Sequence, residues 1–288
     1  MTDLEARTNV PCYGAIVFTG RAFLCLLVAP LVPWVTACNS VTNNEARDGF
    51  DQTLSASKAM SLEAFVAELM LPTSLATPEE MAVEVTGLLG DRAPCATVTA
   101  IDPRRLVVDF PSGCAVGART MSGRVELSLS RARSGELVVK QEWTALSDGE
   151  VTATGTADLT WSSDTSPLHV KHDALFTSKD GVKVEAQGDR TQVRRRQSQV
   201  VQSTGLRSWR TDVGLYVLTM READVRGLLP MPEAGIFQLD TPHELTLTMA
   251  FSQLGDGVMV RVFGGHEEHR YGVFGLDKVE ELEVQPPR

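Results

Sequence analysis

The chain has 288 residues, with 27 Lys and Arg against 37 Asp and Glu, and a formal net charge of −10. That excess of acid excludes a broad phosphate-binding face, so nucleic acid is not an expected partner. Hydrophobic residues make up 43% of the chain, and about 250 residues follow the first 37, enough for one large domain or two small ones.

From Arg21 to Cys38 the sequence reads as the signal peptide of a lipoprotein: one cation, an apolar run from Ala22 to Trp34, then Val35-Thr36-Ala37-Cys38. The tetrapeptide has the form of a lipobox, in which small residues precede the cut and the Cys thiolate takes the diacylglycerol. The apolar run is broken by Pro30 and Pro33 and falls short of the roughly 20 helical residues that span a bilayer core. Residues 1–37 are therefore expected to be removed, leaving Cys38 as the lipidated first residue of a chain anchored in the cell envelope. Asp3 and Glu5 stand where a basic segment is expected, and Val17 offers an alternative start. The residue after the lipidated Cys is Asn39 rather than the Asp that retains enteric lipoproteins in the inner membrane, which points to the outer membrane.

Residues 38–52 include Asn39, Ser40, Asn43, Asn44 and Glu45 and read as a flexible tether. A helical segment is expected over 53–90. Leu62, Phe65, Val66, Leu69 and Met70 fall on one helix face, stopped by Pro72; Thr77-Pro78-Glu79-Glu80 forms a capping box with Pro at the first helical position, and Gly87 can end that helix.

Residues 91–288 change to a period of two. Val125, Leu127 and Leu129 alternate with polar neighbours, as do Val151, Ala153, Ala157, Leu159 and Trp161, then Val182, Val184 and Ala186, then Leu245, Leu247, Met249 and Phe251. Turns at Asp148-Gly149, Asp180-Gly181 and Asp256-Gly257 separate several runs, which calls for antiparallel hairpins in one meandering sheet. A three-residue loop at Ser147-Asp148-Gly149 sets Trp143 opposite Ala153, Val139 opposite Ala157 and Leu137 opposite Leu159. The same choice at Lys179-Asp180-Gly181 sets Phe176 opposite Val184 and Ala174 opposite Ala186. In both, apolar meets apolar, with the Gly in the left-handed region.

Cys95 and Cys114 are the cysteines of the mature body besides Cys38. An exported chain meets an oxidising compartment, and the turn at Asp102-Pro103 folds Thr97–Ile101 back on Leu106–Phe110, so a Cys95–Cys114 disulfide is expected. It would contribute about 3 kcal/mol through the unfolded state. A metal pair or a reactive thiol lacks a third ligand or a base nearby in sequence.

Cys95-Ala96-Thr97-Val98-Thr99, Asp109-Phe110-Pro111-Ser112-Gly113-Cys114 and Arg119-Thr120-Met121-Ser122-Gly123 carry a pattern, C-x-T-V-T, D-F-x-x-G-C and R-T-x-S-G. It resembles that of uncharacterised bacterial all-β lipoproteins, in which a polar, helical stretch follows the lipidated Cys and a long run of hairpins follows that. The resemblance covers about thirty residues. It implies an all-β envelope protein and brings no activity or ligand with it.

Candidate chemistry is weak. Ser55-Ala56-Ser57-Lys58 and Ser147-Asp148-Gly149 resemble elements of penicillin-recognising enzymes, but those need a helix-rich domain and a K-T-G strand, which this sequence does not contain. His266-Glu267-Glu268-His269 has its histidines three apart rather than the four that a zinc-binding helix requires, and His169 and His172 share that defect. These histidines are read as exposed strand or turn positions, and Arg194-Arg195-Arg196 as a solvated strand end or turn. No catalytic residue, metal ligand or cofactor is assigned.

The expected fold is mainly β: an antiparallel meander, as a curved sheet, sandwich or half-open barrel, with two short N-terminal helices. The expected function is that of a non-enzymatic structural or binding module tethered to the membrane, with a lipid or an envelope protein as its partner. The alternative is a periplasmic carrier that holds lipid or hydrophobic cargo in an apolar groove. A carrier needs an apolar cavity lined by small residues; a scaffold has its core filled by Trp143, Trp161, Phe176 and Phe251.

Overall fold

The computed structural model describes residues 41–72, 77–163, 166–194, 200–226, 231–264, 267–274 and 278–282. Cys38 and the lipobox lie outside the described residues. Two helices, α1 (Asn43–Leu69) and α2 (Pro78–Arg92), precede fourteen strands. These are β1 (Thr97–Asp102), β2 (Arg105–Val116), β3 (Arg119–Arg131), β4 (Leu137–Ser147), β5 (Val151–Trp161), β6 (Leu168–Ser178) and β7 (Lys183–Arg194), then β8 (Val200–Arg210), β9 (Leu215–Arg226), β10 (Ala234–Asp240), β11 (Thr246–Leu254), β12 (Gly257–Gly264), β13 (Glu267–Phe274) and β14 (Lys278–Leu282). All pair antiparallel in sequence order in one open sheet, the meander that the period-two pattern predicts.

Helix α1 differs from expectation. The stretch read as tether is helical from Asn43 onward, opened by a capping box in which the Thr42 side chain accepts from the Glu45 backbone and the Glu45 carboxylate accepts from the Thr42 backbone. It is also 27 residues long rather than short. Its early buried positions, Ala46, Gly49, Phe50, Thr53 and Ser57, recur every three or four residues, but most are small or polar, so an apolar count overlooks them. Helix α2 has the predicted capping box on Thr77 and Glu80 but runs through Gly87 to Arg92.

The sheet bends around α1. Phe50 stacks on Tyr271 of β13, with ring centroids 4.6 Å apart, whereas Phe65 lies under the Arg119 guanidinium of β3 at 5.0 Å. Fifteen helical residues advance about 22 Å, but ten strand spacings cover about 48 Å, so only a strongly curved sheet brings β3 and β13 to that stretch of one helix.

Two sets of β-bulges make that bend. On one side, β4 bulges at Ala145, with φ 47°, flanked by Gly123 of β3 and Gly155 of β5. On the other, β9 bulges at Glu222, with φ 48°, flanked by Gly235 of β10 and Gly205 of β8. In each set a threonine hydroxyl on the adjacent strand accepts the bulge N–H: Thr154 from Ala145 at 3.3 Å and Thr204 from Glu222 at 3.2 Å. The two sets are related by a pseudo-twofold through the β6–β7 hairpin. A Cβ on Gly123 would stand 2.3 Å from the Ala145 carbonyl oxygen, and one on Gly235 2.6 Å from the Glu222 oxygen, so the close approach needs glycine there.

The predicted register holds at the β6–β7 turn, with Ala174 opposite Ala186 and Phe176 opposite Val184. Between β4 and β5 it is displaced: Leu137 pairs Trp161, Val139 pairs Leu159 and Trp143 pairs Gly155. The turn is longer than the predicted three-residue loop, with Ser147 opposite Thr152, and the Ala145 bulge, invisible to a count of alternating residues, takes back one residue of that offset; apolar still meets apolar. The third turn lies one residue early, at Gly255-Asp256, with Leu254 opposite Gly257. Cys95 and Cys114 form the expected disulfide, with Cα atoms 5.5 Å apart.

Trp143, Trp161, Phe176 and Phe251 are all buried in the core with α1. Trp161→Ala should cost about 3–5 kcal/mol as a cavity-forming truncation. Thr156→Ala on the exposed outer face should cost less than about 1 kcal/mol. Denaturant titration of both variants checks this; a tolerant Trp161 would mean the faces are inverted.

Candidate functional site: a buried polar cluster beneath the first helix

The sheet's inner face is lined by small residues where α1 crosses its centre: Gly155 and Ala157 on β5, Ala174 on β6, Ala186 and Gly188 on β7, Gly205 on β8. Four charged or polar side chains converge in this cradle. Glu63 points from α1 to the sheet, and His172 of β6, Arg190 of β7 and Arg207 of β8 rise from it.

Glu63, His172 and Arg190 are buried, with no exposed side-chain surface on any of the three. One Arg190 nitrogen, Nη2, donates to both Glu63 carboxylate oxygens at 2.7 Å. The other, Nη1, lies 3.2 Å from His172 Nδ1. A guanidinium has no lone pair to offer, so His172 Nδ1 must accept, the ring is neutral, and its proton sits on Nε2. Space for the ring comes from the next strand, since a Cβ on Gly188 would stand 2.2 Å from its Cε1.

Electrostatics agree with these roles. Burial alone would raise the Glu63 pKa, but the charge and hydrogen bonds of Arg190, with the charge of Arg207, hold the carboxylate below its ordinary range. His172 is driven down to about 4, chiefly by burial, with Arg190 and Arg207 adding to the effect against the pull of Glu63. Burial and the neighbouring Arg190 also lower Arg207. The cluster is thus a carboxylate clasped by an arginine and flanked by a neutral imidazole. Sealed under the helix, it has the chemistry of a clasp rather than of a site that meets substrate.

The histidine expectation divides. His169 is partly exposed, in line with the sequence reading, and pairs with Asp189, but His172 is buried, which corrects the reading of it as an exposed residue. The strand period already carried the signal: His172 shares parity with Val170, Ala174 and Phe176, and Arg190 with Ala186 and Gly188, so both face inward. Glu63 offered less, since a carboxylate next to Leu62 reads as a helix boundary of the apolar stripe. His269 lies on β13 with its Nε2 3.7 Å from Glu267, and His266 lies outside the described residues. Among the described residues no three His, Cys, Asp or Glu side chains are grouped to hold a metal ion. Ser57 is buried in α1, and Asp148 caps the β4–β5 turn while pairing with Arg119, so the two serine-type fragments serve helix packing and a hairpin. Arg194 closes β7; Arg195 and Arg196 lie outside the described residues.

Two open clefts mark the surface. One, of about 430 Å³, lies between Phe65 and Leu69 of α1, Arg92 of α2 and Val116 of β2; the other follows the outer bulge at Glu222 and Gly235. No family model, curated protein or solved structure matches the chain.

The low His172 value makes stability depend on pH. Between about 6.5 and about 4 the unfolded chain binds a proton that the folded chain refuses, so stability is full above pH 6.5 and falls as pH drops through this window. The loss should approach about 3 kcal/mol by pH 4. Denaturant titrations at pH 7 and pH 4 should show a smaller difference for His172→Gln than for the native protein; equal differences would remove His172 as the cause.

Proposed function

We propose that this protein is a membrane-anchored envelope lipoprotein, held by a diacylglycerol on Cys38, whose folded body acts as a non-enzymatic structural or binding module. The observation that carries the module reading is the occupant of the sheet's inner face. Phe50, Met60, Leu62 and Val66 of α1 are fully buried there, and the Glu63–Arg190 clasp fixes the helix in place. The surface that an acyl chain would need in a carrier is already covered by the protein's own helix. Emptying it would expose that apolar face and separate a buried ion pair, which costs about 3–5 kcal/mol when one partner is lost. What remains for partners is the outer face, an array of Thr, Ser and alternating charges such as Lys171 beside Asp189.

The anchor rests on the lipobox at Val35-Thr36-Ala37-Cys38. None of the described helices is long and apolar enough to cross a membrane, so the lipid is the attachment this reading supplies. Asn39 directs the reading to the outer membrane. Cys38→Ser should move the protein from the detergent phase to the aqueous phase of an envelope extract, or block its processing. Unchanged partitioning of that variant would overturn the anchor.

A further inference from the structure

The folded body begins at Val41, a few residues after Cys38 in the sequence. Val41 is buried, and its backbone N–H donates to the carbonyl of Gly264, the last residue of β12, at 3.2 Å. Valine side-chain atoms fill the space above Gly264, where a Cβ would stand 2.2 Å away. Glu45, one turn into α1, interacts with His243 in the loop between β10 and β11. Only Asn39 and Ser40 lie between Cys38 and Val41, a reach of at most about 11 Å. A lipid on Cys38 therefore cannot hold the body at a distance.

Strands of a meander alternate in direction, so the loops after β2, β4, β6, β8, β10 and β12 share one end of the sheet, and Gly264 lies at that end. The same end carries exposed aliphatic side chains: Val182 in the β6–β7 loop, 55% exposed, and Val213 and Leu215 in and beside the β8–β9 loop, 51% and 45% exposed. The pairing of Glu185 with Arg210, carried three residues outward, puts Val182 and Val213 level with each other. Pro242 of the β10–β11 loop packs against Gly214, so neighbouring loops form a continuous rim. Lys179 and Arg210 stand on this rim beside Asp180, Asp212, Glu244 and Glu267, an excess of acid that disfavours attraction to anionic headgroups and leaves the aliphatic residues as the contact.

Resting on the lipid-anchor reading, we infer that this rim is a membrane seat. The acyl chains on Cys38 pull the loop end of the curled sheet onto the bilayer, Val182, Val213 and Leu215 enter the headgroup layer, and the sheet stands upright with the β3–β4 and β7–β8 ends pointing away. Short attachment and an apolar rim fix one orientation, in place of a body swinging on a tether.

The test uses the full-length, membrane-processed protein with a single added cysteine, Val213→Cys on the rim or Ser134→Cys in the β3–β4 loop at the opposite end. Each is labelled with an environment-sensitive fluorophore and reconstituted into phosphatidylethanolamine and phosphatidylglycerol vesicles containing headgroup-depth quencher lipid. Mass spectrometry of the same samples reports acylation of Cys38. The seat predicts blue-shifted emission and several-fold stronger quenching for the rim label than for the label on the β3–β4 loop. Acylated protein with equal, water-like signals from both labels overturns the seat and leaves the anchor standing. Protein that carries no lipid on Cys38 overturns both. Shielding of the rim label in native envelopes but not in pure vesicles assigns the rim to a protein partner and also overturns the seat.

Discussion

A sheet with one apolar face and two free edges is unstable in water until something covers that face, and in this protein the cover is α1, around which the sheet curls, with α2 adding Met81, Val85 and Leu89 beside β2 and β3. Every other feature follows from that demand. The helix must be narrow where the sheet approaches it, so α1 carries glycine at position 49, where a Cβ would stand 2.1 Å from the Leu247 side chain of β11. The sheet must bend twice to reach both sides of the helix, so β4 and β9 each take an extra residue and the flanking strands take glycine. The sheet's two edge strands, β1 and β14, are short and largely exposed, and both carry acidic residues, Asp102 on the first and Glu280 and Glu281 on the second, which discourages pairing with another chain.

Apolar contact alone would leave α1 free to slide or turn in a smooth cradle. The buried Glu63–Arg190 pair removes that freedom, because both carboxylate oxygens are engaged at only one depth and rotation of the helix. Such a pair adds little net stability, since the desolvation of two charges offsets most of their attraction, but leaving either partner alone is costly. Its contribution is therefore selection of one arrangement over near neighbours. His172, kept neutral by burial, completes the clasp without adding a third positive charge to those of Arg190 and Arg207, and Gly188 makes the room. The same residues that fix the helix also close the groove that a cargo carrier would keep open.

Much of the fold was legible from alternation. Val125, Leu127 and Leu129, or Ala174 and Phe176 against Ala186 and Val184, declare their face and partner without reference to anything distant. What alternation does not reveal is a bulge, which shifts register by one residue while leaving both flanks correctly patterned, as around Ala145. Nor does it reveal a helix whose buried face is built of Gly, Thr, Ser and Ala, which is why residues 43–52 read as solvated chain although Phe50 is fully buried among them. The polar cluster was half legible. The parity of His172 and Arg190 marks both as inward positions, although the histidine was read as exposed, and their meaning depends on Glu63, 127 positions from Arg190 in the chain. Only the fold joins them.

The central claim is that α1 belongs to the same cooperative unit as the sheet. Native-state hydrogen exchange measures this directly, by comparing the amides of Phe50 to Val66 with those of the β6–β7 hairpin across a denaturant series. If the helix is the core of the curled sheet, both groups exchange through the same global opening, with equal free energy and equal denaturant dependence. Helix amides that exchange through an opening several kcal/mol cheaper than that of β6 and β7 would contradict it, showing a detachable lid over an open groove instead of a filled, clasped interior.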